Sequence, residues 1–340
     1  MKVTAAFYGL TTGALIGIAL PIVALAGNAV AAPSTPHAAW SYYVETTSNS
    51  TMYTLGCNQG TNAAVNGYSL TTVILDFGGQ TGTGQSTEEI DGTVVTGSQI
   101  LSMTYNFADG FYSCYNTNMT NPNIFAQLTL CVGTNNSYAL SYTGGQSWAN
   151  LVSSISNDTA SFYNGYASVN ILGADDIEPG FDPGETGTVQ WVHGYASVSS
   201  SPPYINYGSA DGCPSEYTGS TNRDAECYNS NWYLSTIFYF SFYGSTAATG
   251  AAPEIYWSGN GHANQPIQWA NVSAYGYYYD NENEGYVLGP LDESDLNSAS
   301  NDPQTAWTDL WNAYENYPPS GLLGVVANYM GYSLQIHDAT

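Results

Sequence analysis

The residues best suited to chemistry lie in Ala174-Asp175-Asp176-Ile177-Glu178-Pro179-Gly180-Phe181-Asp182. An apolar run, Ala167 to Gly173, leads into this burst of carboxylates and reads as a strand. On an extended chain alternate side chains share a face, so Asp176 and Glu178 stand about 7 Å apart on one side. Asp175 points to the other. Pro179 and Gly180 end the strand. Paired carboxylates at a strand end suit acid/base work on a sugar or peptide bond. A calcium site built from Asp175, Asp176, Glu178, Asp182 and Glu185 is the alternative, although the spacing is not that of an EF-hand loop.

Asp76, in Thr71-Thr72-Val73-Ile74-Leu75-Asp76-Phe77-Gly78-Gly79-Gln80, is a second candidate, with a cap for the glycine turn as its structural role. Glu254 and Glu293 near later strand ends, and Asp211, are further acids of the same kind. Tyr207, Tyr243, Tyr256 and Trp257 could stack on sugar faces, although packing explains most aromatics in a chain with 30 Tyr and 8 Trp. The four His are scattered and form no His-Glu-x-x-His pair. Gly-x-Ser-x-Gly, a P-loop and Asp-Thr-Gly are also missing. No metal and no cofactor are expected.

The elements that must position these residues alternate. Strands are expected at Trp40–Glu45, 71–80, Ile124–Val132, Ala167–Glu178, Tyr204–Tyr207, Thr236–Gly244, Pro253–Trp257 and Tyr286–Leu291. Helical spacing marks Ser98–Cys114, Trp148–Ile155, Val189–Tyr195, Ile267–Tyr275 and Trp307–Tyr314, with Asp302 and Pro303 opening the last. Apolar strands alternating with helices define an α/β domain with a parallel sheet. A (β/α)8 TIM-barrel-like single domain, whose chemistry sits at the strand C-termini, is favoured over an open doubly wound sheet. The sheet alternative lacks its Gly-x-Gly-x-x-Gly, since Thr87 takes the third place.

Lys2, the apolar stretch Ala14–Ala26 and Ala29-Val30-Ala31 read as a signal peptide over residues 1–31. A polar segment, 32–70, would follow, then the barrel domain, 71–340. The product is expected to be secreted, with no membrane insertion, because Gly321–Val326 is far too short to span a bilayer. Beyond the leader Arg223 is the only Lys or Arg, against 27 Asp and Glu in the chain. That excludes a nucleic-acid partner, which needs a cationic surface. It suits either an acidic exterior, where protonated carboxylates leave little charge to drive unfolding, or a low-charge envelope protein at neutral pH. Of the five cysteines, Cys213 and Cys227 are expected to pair first and Cys57 and Cys114 next, leaving Cys131 as a buried thiol.

Ile74-Leu75-Asp76-Phe77-Gly78-Gly79-Gln80 and Leu172-Gly173-Ala174-Asp175-Asp176-Ile177-Glu178 resemble the motifs of the lysozyme-like glycoside hydrolases of family 25. Those barrels have an Asp with a nearby Gln on the first strand and an Asp-x-Glu on a middle one. The resemblance covers about 20 residues and implies Glu178 as proton donor, with Asp176 and Asp76 supporting transition-state charge. Here the Asp-x-Glu ends the third strand of the central run, not the fourth. The chain as a whole resembles secreted barrel proteins of uncharacterised activity. The expectation is a secreted glycoside-hydrolase-like protein acting on an extracellular or cell-wall polysaccharide. The rival is a non-catalytic surface or carbohydrate-binding protein on a degenerate barrel.

Overall fold

A computed structural model describes residues 34–339, apart from 35, 89–91, 139, 181–183, 220–223, 228–231, 260–263, 281–285, 298–299, 319–329 and 331–332. The expected signal peptide, Asp182, Arg223 and Gly321–Val326 lie outside the described residues. In chain order the elements are β1 (Ala38–Val44), α1 (Asn49–Asn66), β2 (Leu70–Gln80), β3 (Thr87–Glu88), β4 (Val94–Val95) and α2 (Gly97–Asn118). Then come β5 (Ala126–Asn135), α3 (Tyr142–Thr159), β6 (Ala167–Asp176), α4 (Gly184–Ala196), β7 (Tyr204–Asn206) and α5 (Leu234–Phe238). The chain ends with β8 (Ala248–Ala251), α6 (Gln265–Tyr275), β9 (Leu291–Asp292), α7 (Pro303–Glu315) and β10 (Ser333–Ala339).

Eight strands pair in parallel in the order β8-β7-β6-β5-β2-β1-β10-β9, while β3 and β4 form a small antiparallel insertion after β2. The sheet curls until its edges meet. Ala251 N–H reaches Tyr286 O at 2.9 Å, and Ile255 N–H reaches Leu291 O at 2.9 Å. Bridges Ala251↔Val287 and Glu254↔Leu291 continue the parallel ladder. One helix joins each strand to the next, which makes the domain TIM-barrel-like. Inward side chains, among them Ile74, Cys131, Ala174, Ile205 and Ile336, form a narrow inner core. The larger core, with Val73, Leu75, Leu130, Val132, Trp148 and Trp191, lies between sheet and helices.

Within the expected polar segment, residues 38–66 belong to the barrel: β1 pairs with both β2 and β10, and α1 follows it. Helix α1 carries no strong apolar stripe because it packs on α2 through glycines. A Cβ at Gly56 or Gly60 would collide with the carbonyl of Phe107 or Phe111. Cys57–Cys114 then staples the two helices, and Cys213–Cys227 is the second disulfide. Cys131 is a buried free thiol, pushed up to about 12 by burial.

Thr236–Gly244 is a correction, because it is helical. Helix α5 continues as a π-helical turn, Tyr239–Tyr243. The aromatic residues suggest a strand, yet Leu234, Ile237, Phe238 and Ser241 are buried at a helical spacing, with Phe240 buried beside them. Tertiary burial overrides β-propensity there. The strand of this repeat is the weakly apolar β8, Ala-Thr-Gly-Ala. Pro253–Trp257 and Tyr286–Leu291 contribute mainly isolated bridges, since Pro253 and Pro290 lack ladder donors. Strand β10, with Leu334 and Ile336 inward, is an element beyond those expected.

Candidate active site

Counting β1, Asp76 lies on the second barrel strand, just before a register shift between Asp76 and Gly79, and Asp176 ends the fourth. By register Asp76 stands beside Gly133 of β5, whose partner on β6 is Ala174, and Asp176, beside Asn135, lies two residues further along. Both follow inward residues at a period of two, Ile74 before Asp76 and Ala174 before Asp176. Glu178 continues that face. Its backbone N–H donates to Asn136 Oδ1 at 3.1 Å, and Asn136 Nδ2 returns a bond to Glu178 O at 3.2 Å. Asn206 Oδ1 accepts from Ile177 N–H and Gly208 N–H, which locks the β6 and β7 ends together.

Glu254 enters from beyond β8. Glu254 N–H donates to Gly208 O beyond the β7 end at 3.2 Å, and across that strand end one carboxyl oxygen each of Asp176, Glu178 and Glu254 lies within 4.8 Å of the others. Asp176 and Glu254 are buried, and Glu178 is partly exposed. Ser209, just past β7, is the hydroxyl residue beside Glu178. Tyr256 Oη donates to Glu254 Oε1 at 2.9 Å, and the Tyr43 and Tyr256 hydroxyls lie 3.4 Å apart. Tyr43, Ser209 and Asn136 have no sequence signal, because each reaches the mouth only through pairing of strands distant in sequence.

Burial raises the pKa of every acid here. Asp76 is pushed up to about 6, eased by the Gly78 N–H on its Oδ1 at 2.8 Å. Asp176 and Glu254 are raised well above the usual range, first by burial and then by neighbouring carboxylates. Glu178 is also raised by burial, with Ser209 and Glu254 holding it back. Among the described residues there is neither Lys nor Arg. Protons must therefore supply the neutralisation that a basic side chain would give elsewhere.

The other candidates divide. Tyr256 belongs to the cluster. Tyr207 points into the barrel, but its hydroxyl donates to Thr134 O at 2.9 Å, and burial leaves no ring face for a ligand. Trp257 is half-buried three residues past Glu254, with its backbone N–H on Gln265 Oε1. Glu293 follows β9 and accepts from Asn297 at 3.2 Å, outside the trio. Asp211 accepts from Gln265 at 3.3 Å. Tyr243 is displaced: it lies on the π-helical turn feeding the N-terminal end of β8, opposite the mouth, where it packs on Tyr239. The five-acid calcium set does not assemble. Asp175 faces away from the mouth with both oxygens unpartnered, and Glu185 sits in the first turn of α4.

Fold and site together define a TIM-barrel-like domain with a carboxylate cluster at its C-terminal mouth. Comparison with protein-family models gives no match, and comparison with curated proteins gives none.

Proposed function

We propose that the protein is an exported glycoside hydrolase that cleaves an extracellular or cell-wall polysaccharide by carboxylate acid/base catalysis. The observation that supports this most is the Asp176–Glu178–Glu254 trio, gathered within 4.8 Å where barrel enzymes keep their chemistry. Glu178, the most exposed of the three, protonates the glycosidic oxygen as the C1–O bond breaks and its electron pair goes to oxygen. Asp176 stabilises the positive charge on the ring, with Asp76 behind it. Raised pKa values keep a proton available in the weakly acidic range. The close carboxyl spacing is nearer the roughly 5–5.5 Å of retaining enzymes than the 6.5–9.5 Å of inverting ones. Of the aromatic residues offered for a sugar, Tyr256 lies at the cluster, with its hydroxyl on Glu254. Two disulfides suit an oxidising compartment, and no helix among the described residues is long and apolar enough to cross a membrane.

The test is a glycan panel, including cell-wall preparations, incubated with the protein from pH 2 to 8 and assayed for new reducing ends. Release by the wild type supports the reading. Binding to a glycan without release supports the non-catalytic carbohydrate-binding alternative instead.

A further inference from the structure

The Asp176–Glu178–Glu254 trio brings three oxygen donors to one spot, with one carboxyl oxygen of each within 4.8 Å of the others. Oxygens held by a single calcium ion, each at roughly 2.3–2.6 Å, stand no more than about 5 Å apart. The spread of the trio matches that. A second observation separates the trio from an ordinary acidic patch. Asp176 is only 8 % exposed, and its Oδ1 is buried without a hydrogen-bond partner. That oxygen lies against Gly208, where a Cβ would stand 2.5 Å from it, and Gly208 O holds the Glu254 N–H at 3.2 Å. Oδ1 therefore faces the strand end from which Glu254 enters. A buried carboxylate oxygen without a donor is costly unless a proton or a cation meets it. No Lys or Arg among the described residues can be that cation.

We propose that the trio binds one divalent, oxygen-seeking cation of calcium's size, with Asp176, Glu178 and Glu254 as its protein ligands. All three donors are carboxylate oxygens, with no His or Cys among them, which favours calcium over zinc or copper. Tyr256 Oη donates to Glu254 Oε1 at 2.9 Å and orients that carboxyl, as outer partners of metal ligands do. Asn136 fixes the Glu178 backbone through both its N–H and its C=O. Glu178 is partly exposed, which leaves the ion a way in and a side open to water. This set differs from the five acids read from the sequence: Glu254 joins it, while Asp175 and Glu185 stay out. It also replaces the expectation of no metal. The proposal goes beyond the hydrolase reading and does not depend on it. Cation and catalytic proton would compete for the same oxygens, because a Glu178 bound to calcium has no proton to give.

Calorimetric titration of calcium chloride into the whole protein, stripped with a chelator and dialysed, tests this at pH 7 without any substrate. Salt at about 0.15 M screens diffuse attraction to the acidic surface. One calcium per chain is expected, with a Kd between about 10⁻⁵ and 10⁻³ M and a matching rise in melting temperature. Asp176→Asn and Glu254→Gln should each weaken binding by about tenfold or more, because each removes one charged ligand. Glu185→Gln, from the set that does not assemble, should bind like wild type. Each variant is checked for a native circular dichroism spectrum, and Glu178→Gln, at the most exposed ligand, serves if the buried substitutions fail to fold. No saturable binding up to about ten times the weakest expected Kd overturns the proposal. So do several weak sites, which would mean an adventitious ion only, and a single site that survives the trio variants. Binding as expected with no glycan cleaved leaves the cation site standing while the hydrolase reading falls, and cleavage without binding does the reverse.

Discussion

Gly208 lies directly against Asp176: a Cβ built on Gly208 would stand 2.5 Å from Asp176 Oδ1 and 2.5 Å from Ile177 O. The β7 end thus presses on the carboxylate at the β6 end, with no room for a methyl group. Gly208→Ala should displace Asp176 and lower stability by about 1–3 kcal/mol, the usual cost of overpacking. Thermal unfolding of the variant checks this. An unchanged midpoint would mean that the two strand ends are looser than drawn.

Stability should fall as pH rises from about 4 to 7. Asp76 titrates near 6 in the fold against an ordinary value of 3.8, so the folded state binds the proton more tightly. Its stabilisation is complete below the unfolded value and is lost as pH passes the folded one, about 3 kcal/mol for a two-unit shift. Asp175, Asp176 and Glu254 are shifted in the same direction. Melting temperatures from pH 3 to 8 should therefore be highest on the acid side. A maximum near neutrality contradicts this.

Asp175 is fully buried between sheet and helices, and neither of its oxygens has a partner. Asp175→Asn should leave stability at pH 3 nearly unchanged, where the carboxyl is neutral in both states. At pH 7 the variant should be more stable than wild type by roughly 1–3 kcal/mol, because only the wild type must bury or neutralise a charge. Paired denaturation curves at the two pH values decide it.

The Cys57–Cys114 bridge joins helices that meet through glycines rather than interlocking side chains. Converting both cysteines to serine should cost about 2–4 kcal/mol and expose the α1–α2 seam to protease. Protection equal to wild type would show that glycine packing alone holds the seam.

Much of this site was legible because strand signals are local. The run ending at Asp176, its alternation and the Pro179-Gly180 stop sufficed to place Asp176 and Glu178 on one face at a mouth. The two disulfides and the Asp302 cap of α7, which accepts from Thr305 N–H at 2.9 Å, were equally local. What stayed hidden is long-range. Glu254 joins Glu178 only because its segment lies beside the β7 end, next to β6, and Tyr43 reaches the mouth only because β1 lies beside β2. Helix α1 escaped because its contact surface is glycine and alanine. The aromatic run 236–244 misled because side-chain bulk suits a strand while its buried positions follow a helix.

The central claim is that Glu178 delivers the proton in glycosidic cleavage. The most direct test is reducing-end release from the best polysaccharide of the panel, at acid pH, by wild type and by Glu178→Gln matched for native circular dichroism. Loss of the proton donor should slow release by about 10²–10⁴-fold. A Glu178→Gln protein that releases sugar as fast as wild type would contradict the account.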